Sequence, residues 1–164
     1  MKKYSILGYI ITILGAGLMV GSTFLSLTMT SFANVLTQGD SLFTYLTSGF
    51  TGLDSLLSVA IVFNVIGIAL SAVILLGAIV ALILSFFDKY STIFLFILRI
   101  ISLVVFLSTI VALLLLGLYV SRIEAELFNF IGFEIAVAVL ASLLIFLGVF
   151  FAKPKKRLTE NNEN

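Results

Sequence analysis

Residues 55–87 read SLLSVAIVFNVIGIALSAVILLGAIVALILSFF and contain no Asp, Glu, Lys or Arg. An apolar stretch of about 18 residues or more with few charges is typical of a transmembrane helix. Three further stretches lack charged residues in the same way, namely 4–39, 100–121 and 135–152. Together these four stretches predict an all-α, polytopic membrane protein whose chain crosses a lipid bilayer four times.

The composition supports this assignment. The chain of 164 residues is 62% hydrophobic and 10% charged, whereas a soluble domain has about 45–50% apolar and roughly 25% charged residues. Four spans of about 20–25 residues with their loops use nearly the whole chain. We therefore expect a single membrane domain over residues 1–164. Its predicted parts are a first span 5–27, an outer loop 28–55, a second span 56–87, a third span 92–120, an outer turn 121–130, a fourth span 131–152 and a cytoplasmic tail 153–164.

A cleaved signal peptide is the alternative interpretation of the first span. Lys2 and Lys3 give a basic start, and the sequence 31–33, Ser-Phe-Ala, resembles a cleavage site. The apolar run, however, is about 22 residues long, and the apolar core of a signal peptide has about 7–15. Its length favours a retained membrane span.

The positive charges lie almost entirely on one side of the four spans. If the two termini share a compartment, the opposite side holds Arg122 alone among the cations, together with Asp40, Asp54, Glu124, Glu126 and Glu134. Lys and Arg are enriched in cytoplasmic loops. We therefore predict a multi-pass plasma-membrane protein with cytoplasmic N- and C-termini. Frequent Phe, Ile, Asn and Lys residues suggest an AT-rich bacterial genome. The cations on the predicted inner side are Lys2, Lys3, Lys89, Lys153, Lys155, Lys156 and Arg157.

The outer loop 28–55 is itself rich in apolar residues at helical spacing. Leu42, Tyr45, Leu46 and Phe50 recur with a period near 3.6, which predicts one or two short amphipathic helices. They would serve as a compact lid or as a surface for a partner or ligand, and a β-hairpin turning at 39–40 is a further alternative. The sequence 51–54, Thr-x-x-Asp, predicts a capping box that opens the second span.

Small and polar residues mark the predicted packing faces. Lipid tails are as apolar as Leu, so membrane helices associate through close packing and buried polar contacts. Alternating steps of four and three predict a left-handed, antiparallel four-helix bundle. The predicted faces are Gly8, Thr12, Gly15, Met19, Ser22 and Ser26 in the first span; Ala60, Asn64, Gly67, Ser71, Ile74, Ala78, Ala81 and Ser85 in the second; Arg99, Ser102, Phe106 and Thr109 in the third; and Glu134, Ala138, Ala141, Ile145, Gly148 and Ala152 in the fourth.

Two of the helices hold candidate contact residues of particular interest. Asn64, with Gly67 and Ser71 on the same face, is expected to hydrogen-bond a neighbouring helix. Such bonds contribute about 0.6 kcal/mol on average, so Asn64→Leu would cost little stability. Gly17 and Gly21 form a G-x-x-x-G pair on another face of the first span. That pair predicts close packing within the chain, or else a contact between two copies.

The sequence places two charged residues at or near membrane depth. Charges in spans are functional candidates by default. Arg99 lies about 10 Å from the inner end of the third span, where its long side chain could snorkel to the headgroups, bind a carbonyl group or contact a substrate or partner. Glu134 stands at the outer start of the fourth span. It is interpreted as solvated or as capping the helix, with an ion or proton role as the alternative.

The sequence gives no indication of enzymatic chemistry. The chain has no Cys and no His, which removes disulfides, thiolate nucleophiles and the commonest base and metal ligand. We expect no catalytic residues, no cofactor, no metal and no nucleic-acid partner. The layout resembles tetraspan proteins, but the Trp and Cys pair of claudin-like proteins and the Cys-Cys-Gly of tetraspanins are absent, so it indicates no particular family.

The leading functional hypothesis is a non-enzymatic accessory, scaffold or immunity-type subunit. It would act through helix–helix or outer-loop contacts with another membrane protein or with a second copy of itself. A small transporter or channel subunit, acting alone or as an oligomer, is the alternative, because polar residues such as Asn64 and Arg99 could line a path.

Overall fold

Four long helices make up nearly all of the described structure. The computed structural model describes residues 2–25, 42–43, 47, 54–87, 92–122 and 133–152. All four helices are long and apolar enough to cross a membrane, which confirms the prediction of an all-helical chain with four potential spans. They are α1 (Lys2–Gly21), followed by a 3-10 turn (Ser22–Phe24), α2 (Ser55–Phe86), α3 (Thr92–Arg122) and α4 (Phe133–Phe151).

The helices differ in length. The 32 residues of α2 and the 31 residues of α3 extend for ~45–48 Å, well beyond a hydrocarbon core of ~30 Å. The 19 residues of α4 extend for ~29 Å. In a bilayer, the long helices would tilt or extend beyond the hydrocarbon region.

The four helices pack around a shared core. α1 packs against α2 and α4, and α3 also packs against α2 and α4. The buried apolar residues form two clusters. The second and smaller cluster includes Leu57, Leu116 and Tyr119. Leu42, from the predicted outer loop, belongs to this second cluster and is fully buried. The larger cluster includes Tyr9, Met19, Ile74, Leu98, Val105 and Ile145.

The small-residue faces predicted for three of the helices are buried. In α2 only Ser85 of the predicted face is partly exposed, and in α4 the whole predicted face is buried. In α1 the face is buried from Gly8 to Ser22, while Ser26 lies outside the described residues. Small side chains therefore turn toward neighbouring helices, as expected where close approach drives association.

The face predicted for α3 is wrong in part. Ser102 and Thr109 are buried, but Arg99 and Phe106 are only partly buried. Larger aliphatic residues, rather than small ones, occupy most of the buried face of α3. The small-residue pattern that identifies the buried faces of the other helices is therefore weak in α3. The buried positions of α3 are Leu95, Leu98, Ser102, Val105, Ser108, Thr109, Leu116, Tyr119 and Val120.

Glycines of α1 allow a very close approach to α4. A Cβ atom added at Gly8 would lie 2.6 Å from the backbone nitrogen of Ala152. One added at Gly15 would lie 2.9 Å from the backbone nitrogen of Ile145. Because real Cβ atoms do not approach backbone atoms this closely, glycine at these positions is what lets the two helices touch.

The start of α2 differs from the predicted capping box. Asp54 is itself the N-cap, and its carboxylate accepts a hydrogen bond of 2.8 Å from the backbone N–H of Leu56. Its other oxygen lies 3.9 Å from a guanidinium nitrogen of Arg122, at the end of α3. Thr51 and most of the predicted outer-loop helices lie outside the described residues, as do the tail 153–164 and most of the outer turn.

Candidate functional site

A hydrogen bond between two buried side chains joins α2 to α4. The Asn64 Nδ2 atom donates to Glu134 Oε1 over 2.7 Å. Asn64 is 4% exposed and Glu134 is 0% exposed. Asn64 occupies the small-residue face of α2, and Glu134 lies in the first turn of α4, where the helix dipole favours an acidic side chain.

The expected interhelical hydrogen bond of Asn64 is thus present, but the interpretation of Glu134 as solvated is wrong. Glu134 is the first residue of the predicted small-residue face of α4. This face continues through Ala138 and Ala141 and is buried along its whole length. The sequence feature that indicates the burial of Glu134 is its position on this face. That position predicts the observed burial better than the nearness of Glu134 to the helix end does. Sequence reasoning does not pair the two residues, which are 70 positions apart.

Ser22 completes the surroundings of this pair from the end of α1. Its hydroxyl donates to the carbonyl oxygen of Met19 over 2.7 Å and lies beside the Glu134 carboxyl group. Two atoms of the pair, Glu134 Oε2 and Asn64 Oδ1, are buried and have no hydrogen-bond donor in the part of the chain that the structure describes. The site therefore brings three helices together around an incomplete set of hydrogen bonds.

Gly67 and Ser71 lie on the same face of α2 as Asn64, closer to the middle of the helix. A Cβ atom at Gly67 would lie 3.0 Å from the Ser108 Oγ atom and 3.3 Å from the Met19 methyl carbon. The Ser71 hydroxyl donates to the Gly67 carbonyl oxygen over 2.7 Å. This region brings α1, α2 and α3 into contact, and the hydroxyl proton of Ser71 is already engaged within its own helix.

Other buried hydroxyl groups likewise donate to carbonyl groups of their own helix. Thr12 bonds the Gly8 carbonyl, Thr109 the Val105 carbonyl and Ser142 the Val139 carbonyl. Ser and Thr side chains can satisfy their donors in this way within a helix. Among the described residues, these hydroxyls therefore support dry helix packing rather than a hydrated path.

Arg99 contacts the end of α4 that lies far from Glu134. Its Nη2 atom donates to the carbonyl oxygen of Ala152 over 3.0 Å, and its guanidinium carbon lies 5.6 Å from the centre of the Phe150 ring. The last carbonyl groups of a helix have no partner within it. Of the roles considered from the sequence, the described contacts match a structural bond to a carbonyl group.

Gly17 and Gly21 face away from the other helices. A Cβ atom at either position would meet no atom of the described residues within 4 Å, so the pair makes no close packing contact with the described helices. The two glycines line a surface groove of about 490 Å³ that is also lined by Ile13, Leu18 and Val137. The groove is apolar and lies beside the contact between α1 and α4.

Comparison with known proteins does not identify the site. No protein-family model matches the chain, and no curated protein or solved structure matches it significantly. In the described part of the chain, two structural features bear most directly on function. They are the buried Asn64–Glu134 pair and the exposed face of α1 at Gly17 and Gly21.

Proposed function

We propose that this chain is a non-enzymatic, multi-pass protein of a bacterial plasma membrane that acts as an accessory, scaffold or immunity-type subunit. It associates within the bilayer with a second copy of itself or with another membrane protein. The observation that carries the proposal is the outward position of Gly17 and Gly21, which leaves a close-approach surface of α1 unused by the described part of the chain.

The comparison with the other glycines of α1 supports this proposal. At Gly8 and Gly15, backbone atoms of α4 lie less than 3 Å from the place that a Cβ atom would take. Gly17 and Gly21 likewise carry no Cβ atom, and no described atom lies within 4 Å of the place that one would take. Small residues spaced by four positions allow membrane helices to approach and pack. A partner helix seated there would also fill the apolar groove.

We expect Gly17→Ile combined with Gly21→Ile to reduce chemical cross-linking of the chain in native membranes strongly, because branched side chains would hold a partner helix away. Gly117→Ile is the matched control, since a Cβ atom there also meets no described atom within 4 Å but Gly117 lies on α3. Affinity purification in mild detergent then identifies whether the cross-linked species is a second copy or another protein. A wild-type chain that stays monomeric and purifies without a partner would contradict the proposal.

We also propose an antiparallel, left-handed bundle with both termini in the cytoplasm. Gly8 lies against Ala152 whereas Gly15 lies against Ile145, so residue numbers run in opposite directions along the two helices. The excess of Lys and Arg at the termini and at Lys89 supports the orientation. Because the chain has no Cys, single cysteines introduced near either terminus should react with a membrane-impermeant reagent only after the cells are opened. Labelling of intact cells at a terminus would reverse the orientation.

A small transporter or channel subunit is the second candidate, and the buried Asn64–Glu134 pair is the observation that favours it. Ionisable groups within membrane spans often mark proton or ion pathways. The self-bonded hydroxyls of α1, α3 and α4 weigh against a continuous path. This candidate requires proton or ion flux in proteoliposomes that Glu134→Gln abolishes.

A further inference from the structure

The hydrogen bonds of the Asn64–Glu134 pair lack one donor. The amide N–H of Asn64 satisfies Glu134 Oε1. The two atoms that remain, Glu134 Oε2 and Asn64 Oδ1, are buried without a donor among the described residues. An ionised carboxylate has only acceptor atoms, whereas a protonated carboxyl group adds one O–H donor. A single added proton would supply the donor that the pair lacks.

We propose that Asn64 and Glu134 form a proton-binding site in which the Glu134 carboxyl group carries the proton on Oε2 and donates it to Asn64 Oδ1. Carboxylic acid and amide then face each other as a cyclic pair with two hydrogen bonds, N–H to Oε1 and O–H to Oδ1. The proton comes from water, and no covalent bond other than O–H forms or breaks. The ligand of this site is the proton itself. The proposal does not depend on a partner at Gly17 and Gly21, although Ser22 borders both the pair and that groove.

Burial without a nearby counter-charge favours the protonated pair. Removing an ionised carboxylate from water without a counter-charge costs far more than removing a neutral acid. The polar groups that act on the Glu134 carboxyl are the uncharged Asn64 amide from α2 and the Ser22 hydroxyl from the end of α1. On the side of α3, Tyr119 lies in the apolar cluster that Ile135 packs against. The dipole of α4 favours a negative charge in its first turn, but this effect is much smaller than the cost of burying an unpaired carboxylate. No described cation faces the carboxyl.

The arginines of the described chain are engaged elsewhere. Arg99 bonds the carbonyl oxygen of Ala152, at the opposite end of α4. Arg122 lies near Asp54, and both of these side chains are well exposed. Neither guanidinium group therefore serves as the counter-charge that an ionised Glu134 would need.

A buried water molecule does not account for both unsatisfied atoms. A cavity of about 20 Å³ adjoins Asn64, which is large enough for one water. Its other described lining residues are apolar side chains of α2, α3 and α4, including Ala60, Leu116 and Ile135, and Glu134 is not among them. A stably buried water needs two to four polar partners, and this cavity offers one polar residue.

A metal cation is also a poor match for the residues present. Mg²⁺ and Ca²⁺ take about six to eight oxygen ligands. The described part of the chain brings no group of three acidic side chains together, and the side-chain oxygens near the pair come from Glu134, Asn64 and Ser22. A proton needs only one donor atom and one acceptor atom, which the pair supplies.

The proton has a structural consequence, because it links helices at this end of the protein. With the proton present, α2 and α4 are joined by two hydrogen bonds beside the end of α1. Without it, a buried negative charge faces an amide oxygen that also lacks a donor. The packing of these helices should therefore be strongest while the proton is bound and should weaken as the pH rises.

Infrared difference spectroscopy of the full chain in lipid nanodiscs tests the proposal. At neutral pH the wild type should show the C=O stretch of one protonated carboxyl group, which shifts in deuterated water. Glu134→Gln should remove that band and leave the carboxylate bands of the other acidic residues unchanged. The variant should remain folded, because its amide N–H replaces the acid O–H. The wild type should lose thermal stability as the pH rises and the Glu134 proton is removed, and Glu134→Gln should lack this part of the pH dependence.

A reversed pair provides the second variant. Asn64→Asp combined with Glu134→Gln moves the acid to α2 and the amide to α4, and should restore the protonated band. Loss of a carboxylate band, rather than an acid band, in Glu134→Gln would overturn the proposal. A wild-type spectrum that changes when Na⁺ or K⁺ is exchanged at constant pH would likewise show a cation site instead.

Discussion

Replacing Gly148 with leucine should disrupt the packing of α1 against α4. A Cβ atom at this position would lie 2.5 Å from Thr12 Oγ1, 2.7 Å from the Thr12 backbone nitrogen and 2.9 Å from the Gly8 carbonyl oxygen. Two of these three atoms belong to the backbone, so they cannot rotate away. Overpacking of a core typically costs about 1–3 kcal/mol and occasionally more. We expect Gly148→Leu to lie at the upper end of that range.

The free energy of unfolding can be measured by titrating a mild detergent with dodecyl sulfate and following helicity. Gly117→Leu is the matched control, because a Cβ atom there has no described atom within 4 Å. Substitutions away from packed contacts usually change the free energy of unfolding by no more than about 0.5 kcal/mol. Equal unfolding free energies for the two variants would show that the contact between α1 and α4 is looser than the structure indicates.

Replacing Asn64 with leucine has the second large expected effect. From the sequence alone the cost would be about 0.6 kcal/mol, the average for one interhelical hydrogen bond. The structure raises this expectation, because Asn64 is the described hydrogen-bond donor to a fully buried acid. Leaving a buried polar group without its partner costs about 1–3 kcal/mol, and more if the group is charged. We therefore expect Asn64→Leu to lower the free energy of unfolding by at least about 1–3 kcal/mol.

A double-mutant cycle with Glu134→Leu separates this effect from simple loss of packing. Removing both partners replaces the polar pair by apolar groups, which can be nearly neutral. The double variant should then be more stable than the sum of the two single changes predicts, by about 0.5–3 kcal/mol. Unfolding free energies measured in the same detergent system provide all four values. Strict additivity would mean that the two side chains do not interact in the folded protein.

The Asn64–Glu134 pair shows where sequence reasoning succeeds and where it ends. Both residues lie on stripes of small side chains, and both stripes are buried. Helical periodicity is a local property, however, and it contains no information on which stripe meets which. Nearness to a helix end favours the interpretation of Glu134 as solvated, because the sequence does not reveal that neighbouring helices cover that end.

The glycines of α1 likewise show that the sequence does not reveal which face of a helix packs against a neighbour. Their spacing places Gly17 and Gly21 on a different face from Gly8 and Gly15. Which of these two faces of α1 packs against α4 depends on how the helices assemble. In a soluble protein, hydropathy would mark the inner face, but in lipid an outward face is as apolar as an inward one. The exposed face of α1 is consequently recognisable only once α4 is in place.

The sequence by itself determined that this chain forms four apolar helices long enough to span a membrane, because length and lack of charge are sufficient for that conclusion. It also determined the buried faces of α1, α2 and α4, through their small residues. Only the tertiary structure decided that Glu134 meets Asn64, that larger aliphatic residues fill the buried face of α3, and that Gly17 and Gly21 remain uncovered by the described helices. These facts depend on contacts between residues far apart in the chain, which no local pattern specifies.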